Sequence, residues 1–121
     1  MNGRILVVDD ELSTNTLATE YLRLAGFDVV QRYDAETALE TLAADAAFDA
    51  IVLDKRLPGC DGVEAARRIK ADPRTATIPL ILLSATIQQS QPETSNDFAK
   101  IIPKPFRPKD LVDAIKSSRR S

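Results

Sequence analysis

Histidine and tryptophan are absent from this chain, and cysteine occurs once, at Cys60. Without histidine, imidazole-based catalysis is excluded, and with one cysteine so are Cys/His zinc sites. A single thiol cannot form an internal disulfide, which makes a reducing compartment the expectation. Long hydrophobic runs are also missing: the longest extend over a few residues, far short of the ~20 that cross a bilayer. Arg4 is soon followed by Asp9, Asp10 and Glu11, so no secretory signal is read and a cytoplasmic location without membrane insertion is expected. Nor is there an excess of positive charge. Lys plus Arg is 16 against 18 for Asp plus Glu, a net of -2, which argues against a nucleic-acid binder acting through bulk charge. What remains is a chain of 121 residues, 44% hydrophobic and 28% charged, the composition of one globular domain over residues 1–121. Its chemistry must run on carboxylates, hydroxyls and amines.

Five apolar runs punctuate the sequence: Ile5-Leu6-Val7-Val8, Val29-Val30, Ala50-Ile51-Val52-Leu53, Leu80-Ile81-Leu82-Leu83 and Ile101-Ile102. The first, third and fourth are continuous rather than alternating, as in parallel strands buried on both faces. The second gives way to Gln31 and Arg32, as an edge strand would. Helical spacing fills the intervals. Leu17, Tyr21, Leu24 and Ala25 form one stripe, with Gly26 as its stop. Ala35, Ala38, Leu39 and Leu42 form the next, behind Asp34 as N-cap. Val63, Ala66 and Ile69 form a third, and Leu111, Val112 and Ile115 a last one opened by Pro108. Residues 85–100 are polar, contain Pro92 and sustain no stripe, so a fourth helix there is expected to be weak or mobile. Strands alternating with helices predict an α/β fold, a doubly wound parallel sheet with helices on both faces.

In such a sheet all strands point the same way, and ligands bind beyond their carboxyl ends. The topology therefore brings Asp9 and Asp10, Asp54, Ser84 and Lys104 to one edge. Carboxylates crowded in one cleft repel, and one of them would take up a proton unless a hard dication intervened. Mg2+ prefers oxygen ligands and is held by one or two carboxylates together with phosphate oxygens. Lysine and a hydroxyl beside it suit an anion. The set fits phosphoryl transfer onto a carboxylate, a reaction dominated by positioning and charge neutralisation.

Read together, ILVVDDE at 5–11, IVLDKRLPGCDG at 51–62, LLSA at 82–85 and PKPF at 103–106 resemble the receiver domain of two-component response regulators over nearly the whole chain. The resemblance implies a five-stranded, flavodoxin-like sheet of order 2-1-3-4-5. It implies that Asp54 accepts a phosphoryl group from a histidine kinase or a histidine phosphotransfer protein, switching contacts with a downstream protein target. It further implies that Asp10 and Asp54 ligate Mg2+ with the backbone carbonyl of Arg56, and that Asp9 acts through metal-bound water. Ser84 would bond a phosphoryl oxygen, Lys104 would pair with the aspartate or phosphoryl group, and Pro105 would follow a cis bond. The domain would catalyse its own phosphorylation and dephosphorylation without being a turnover enzyme. It would act as a free-standing protein, which Met1 and the polar C-terminal end favour, or as part of a longer one.

Three features depart from the family pattern. Ile101 stands where the family usually has an aromatic residue in its switch region with Thr86, so a ring cannot swing there. The stretch 85–100 lacks the usual amphipathic helix. Lys55 and Arg56 follow Asp54, and Arg56 is placed to tune hydrolysis of the phosphoryl group. Plainer readings stand beside these: Asp9 and Asp10 as a turn pair, Ser84 bonding its own backbone, Lys104 as a solvated cation, Phe106 as core, Cys60 as incidental, and Arg67, Arg68, Lys70, Arg119 and Arg120 as solvated surface. Three other functions compete. They are a pseudo-receiver that only binds proteins, a Mg2+-dependent phosphohydrolase using an aspartyl phosphate, and a flavin binder, which would need a hydroxyl-rich loop after the first strand. A haloacid-dehalogenase-type phosphohydrolase needs a second acid two residues after its nucleophile, and neither Asp54-Lys55-Arg56 nor Asp9-Asp10-Glu11 supplies that pattern.

Overall fold

A computed structural model describes residues 3–58, 61–84 and 98–118. The strands are β1 (Arg4–Val8), β2 (Asp28–Arg32), β3 (Ala50–Asp54), β4 (Leu80–Ser84) and β5 (Lys100–Pro103). The helices among the described residues are α1 (Leu12–Leu24), α2 (Ala35–Ala44), α3 (Gly62–Ala71) and α4 (Pro108–Ser118). All pairings are parallel and the sheet order is β2-β1-β3-β4-β5. The expected weak helix falls mainly on residues 85–97, which lie outside the described residues, as do Cys60, Thr86, Arg119 and Arg120.

The continuous apolar runs are explained by two cores on opposite faces of one sheet. Ile5, Val7, Val52, Ile81 and Leu83 point to the side covered by α1 and α4, where they meet Ala18, Leu22, Leu111 and Ile115. Leu6, Val8, Ile51, Leu53, Leu80 and Leu82 point to the other, against Ala38 and Leu42 of α2 and Ala66 and Ile69 of α3. Successive strand residues alternate between faces, so β3 and β4, central strands with helices on both sides, have no polar position before their carboxyl ends, where Asp54 and Ser84 stand. β2 and β5, at the sheet's edges, are correspondingly less buried.

Local chemistry sets the helix ends. Asp34 Oδ1 accepts from the Thr37 amide at 2.7 Å and caps α2. At the end of α1, Gly26 has φ +98°, and its amide donates to the Arg23 carbonyl while that of Phe27 donates to Leu22, a turn in which glycine avoids the left-handed penalty. Two helical readings need correction. In α1 the buried stripe is Asn15, Ala18, Thr19 and Leu22, whereas Leu17 is 41% and Leu24 86% exposed. The helix turns this face inward because Ala18 permits close approach to the sheet and Asn15 finds partners there, with the Thr19 hydroxyl donating to Asn15 Oδ1. Lys70 is not simply solvated: its ammonium donates to the carbonyls of Ala76 and Ile78, at 2.9 and 3.1 Å, and ties down the chain after α3.

Gly62, the first residue of α3, fixes how closely this helix approaches the end of β3. Its amide donates to the Lys55 carbonyl at 2.8 Å. A Cβ added there would lie 2.3 Å from the Asp54 carbonyl oxygen and 3.0 Å from Lys55 Cα, both backbone atoms that cannot rotate away. Gly62→Ala must therefore displace α3 or the end of β3. We predict a loss of about 1–3 kcal/mol, the range for overpacking, in urea denaturation; an unchanged midpoint would show that the loop yields freely.

Candidate functional site

The carboxyl ends of β1, β3 and β4 and the turn after β5 open into a cleft of about 740 Å³. Asp9 and Asp10 follow β1, Asp54 ends β3, Ser84 ends β4, and Lys104 follows β5, so parallel register alone brings them to one rim. Asp10, Glu11, Asp54, Lys55, Arg56, Asp61, Ser84 and Lys104 line the cleft. Carboxylate oxygens of Asp9, Asp10 and Asp54 lie within 4.8 Å of one another. Asp9 is fully buried, Asp54 and Ser84 nearly so, and Asp10 is exposed.

Lys104 is placed between two of these acids. Its ammonium lies 3.1 Å from Asp9 Oδ2 and 3.0 Å from Asp54 Oδ1. The Lys104 amide donates to the Ser84 carbonyl at 2.9 Å, and the Lys104–Pro105 peptide is cis. On the other side of Asp9, the Glu11 amide donates to Oδ1 at 2.9 Å. Burial, with the charge of Asp54, pushes the Asp9 carboxyl above the usual carboxylate value, against the pull of the Glu11 amide and Lys104. Burial draws the Lys104 ammonium downward, but its hydrogen bond to Asp54 and the fields of Asp9 and Asp54 outweigh this and raise it. One ammonium faces three carboxylates, so this cluster carries net negative charge that a cation can neutralise.

The other expected residues are less central. Arg56 is exposed and lines the cleft. Ile101 lies on β5, in register with Leu82 and 37% exposed, away from the cleft lining. Phe106 packs edge-on against Tyr21, with ring centroids 6.5 Å apart. Asn15 was not anticipated. It is fully buried, and its Nδ2 donates to the Asp9 carbonyl at 2.9 Å. A polar residue inside a helix reads as solvent-facing until the helix is docked, so the sequence signals it only through its place six residues after Asp9.

Residues 5–116 match the response regulator receiver domain, and the chain belongs to this family. The phosphate regulon transcriptional regulatory protein PhoB of Pseudomonas aeruginosa is 34% identical over 118 residues, covering 96% of this chain and 51% of PhoB. The chain thus spans about half the length of the curated relatives it matches. The receiver domain of sensor histidine kinase PA1611 from P. aeruginosa, solved with a magnesium ion coordinated in its active site cleft, is 29% identical with TM-score 0.86, each chain being 97% covered. Response regulator TrrA from Thermotoga maritima, solved in complex with Mg2+-BeF, is 29% identical with TM-score 0.85, covering 95% of this chain and 97% of TrrA. The fold is therefore that of a receiver, a signalling domain of two-component systems.

The paired lysine generates a prediction about the metal-free chain. Lys104→Ala leaves Asp9 and Asp54 facing each other across a mostly buried space. Breaking a buried pair costs ~3–5 kcal/mol, and partial solvent screening reduces that to about 1–3 kcal/mol here. Because the folded Lys104 value is raised, this contribution is complete below its ordinary value of 10.5 and is lost only as pH rises through the higher folded value. Urea denaturation at neutral and strongly alkaline pH measures both; equal stability of variant and parent at neutral pH would show the pairs to be fully screened.

Proposed function

We propose that the chain is the phosphoacceptor receiver of a two-component phosphorelay, forming one domain over residues 1–121. Asp54 takes a phosphoryl group from the phosphohistidine of a kinase or histidine phosphotransfer protein. A carboxylate oxygen of Asp54 forms the new O–P bond as the N–P bond of the donor breaks, the electron pair leaving with the imidazole. Such a transfer depends on positioning and on neutralising charge at the phosphoryl oxygens. The observation that carries this reading is the cluster of Asp9, Asp10 and Asp54 oxygens within 4.8 Å, with Lys104 joined to two of these acids.

This donor set fits Mg2+: hard oxygens, net negative charge and space for water beside an exposed Asp10. Asp10 and Asp54 would hold the ion with the Arg56 backbone carbonyl, and Asp9 would act through its water. When bound, Mg2+ supplies charge neutralisation for the incoming phosphoryl oxygens. The magnesium in the PA1611 receiver and the Mg2+-BeF in TrrA support the assignment by analogy. Lys104 gives its ammonium to the oxyanion, and the Ser84 hydroxyl at the adjacent strand end donates to a phosphoryl oxygen. Arg56, exposed at the rim, shields or pairs with the product and sets its lifetime. The switch expected of Thr86 and Ile101 transmits the change to a downstream protein, with an aliphatic side chain at Ile101 in place of a swinging ring. Activity of this kind is self-modification in the cytoplasm rather than turnover of a metabolite. No helix of the described residues is long and apolar enough to cross a membrane.

Incubation with acetyl phosphate and Mg2+ should add one phosphoryl mass, mapped to Asp54 and absent from Asp54→Asn. Ser84→Ala should slow the step on the order of 100-fold, as for loss of one aligned donor. Modification at another residue, or none on the folded parent, overturns the reading. Sustained release of p-nitrophenol from p-nitrophenyl phosphate would instead favour the phosphohydrolase.

Metal binding should also depend on pH through Asp9. Its raised folded value means that its contribution to metal-free stability is complete below the ordinary 3.8 and is lost as pH rises through the folded value. Mg2+ favours the charged form, so its thermal stabilisation should be large at neutral pH and vanish on acidification before an ordinary aspartate would protonate. A pH-independent shift in melting temperature would contradict this.

A further inference from the structure

Asn15 stands in the second turn of α1, fully buried, where an apolar residue would be expected. Asparagine is a poor helix former that favours caps and turns. Yet its full hydrogen-bonding capacity is used. Nδ2 donates to the carbonyls of Asp9 and Arg32, each at 2.9 Å. Oδ1 accepts from Gln31 Nε2 at 2.8 Å and from Thr19 Oγ1 at 3.4 Å. An amide has two donor hydrogens and two acceptor lone pairs, and all four are matched.

The partners have a common position. The Arg32 carbonyl, at the end of β2, accepts both from Asn15 and from the Asp9 amide at 3.1 Å. Asp9 is thus held through its own amide and carbonyl at the point where β1 ends and the acidic turn begins. The side chain of the α1 N-cap, Glu11, accepts from the Thr14 hydroxyl at 2.6 Å but from no backbone amide of the helix, so the link from α1 to the ends of β1 and β2 is made by Asn15. Gln31 fixes which end of the Asn15 amide faces the sheet, because its donor needs Oδ1.

The geometry assigns Asn15, oriented by Gln31, as a positioning residue that fixes the backbone of Asp9 and thereby the spacing of the Asp9–Asp10 carboxylates at the Mg2+ site. This rests on the functional reading above, since only a cation makes that spacing matter. Outer residues that orient metal ligands are worth roughly 10–100-fold in affinity. A residue that merely filled space would alter stability and leave the affinity of the folded molecules unchanged.

The test is Mg2+ titration by calorimetry at neutral pH, paired with thermal denaturation in its absence. Asn15→Leu, near-isosteric and apolar, should weaken Mg2+ binding about 10-fold. Gln31→Ala, at a half-buried site that folding tolerates, should weaken it by a smaller factor with little change in melting temperature. The double variant should bind as Asn15→Leu alone, because Gln31 acts through Asn15. Should Asn15→Leu not fold, Gln31→Ala decides: weakened binding at unchanged stability supports the assignment, and parental affinity overturns it. Parental affinity in a folded Asn15→Leu also overturns it. A parent chain that takes up no Mg2+ overturns the functional reading itself, a result distinct from either.

Discussion

Repulsion among the carboxylates of Asp9, Asp10 and Asp54 is the constraint around which this molecule is arranged. Parallel strands necessarily deliver their terminal residues to one rim, and here three such residues are acids whose oxygens lie within 4.8 Å. Lys104 relieves part of that repulsion by touching two of them. The remaining negative charge makes the cleft receptive to a cation, and the low solvent access of Asp9 and Asp54 makes the electrostatics stronger than on an open surface. Charge imbalance and function therefore share a cause. On the function proposed above, a site held short of neutrality would respond to a metal and then to a phosphoryl group, where a fully paired one would respond to neither.

That tension is sustained by the backbone beneath it. β1, β3 and β4 are buried on both faces, and the two cores hold the strand ends in fixed register. Around the rim, each polar connection has a specific tie. Gly62 lets α3 approach the Asp54 carbonyl, the Lys104 amide pairs with the Ser84 carbonyl, and Asn15 joins α1 to the ends of β1 and β2. Each of these features acts on main chain, so the backbone that carries the repelling acids is held in place. The resulting preorganisation suits a reaction in which the protein mainly positions and neutralises.

How far the primary structure could be read follows from what each residue depends on. The sheet, its parallel sense and the rim location of Asp54, Ser84 and Lys104 were legible because continuous apolar runs and their polar ends are local facts. Family membership was legible from four short motifs in order. The face of α1 was not. Leu17, Tyr21 and Leu24 have the spacing of a core stripe, but the helix turns Ala18 and Leu22 inward with Asn15 and Thr19. Hydrophobic periodicity measures side chains alone, whereas the packed helix is also governed by open carbonyls on the sheet, which the sequence does not display. Lys70 is similar: within a run of charged residues it reads as surface, and only the returning chain provides the carbonyls it meets.

By itself, then, the amino-acid order determined an alternating α/β chain, excluded imidazole chemistry, Cys/His zinc sites and an internal disulfide, and set acids at the ends of buried strands. Those outcomes depend on residue type and short-range spacing. Tertiary structure alone decided which acids meet, that Lys104 lies between Asp9 and Asp54, and that Asn15 finds partners on two strands. Such facts are distances between residues far apart in the chain, and they come into being only when helices and strands dock.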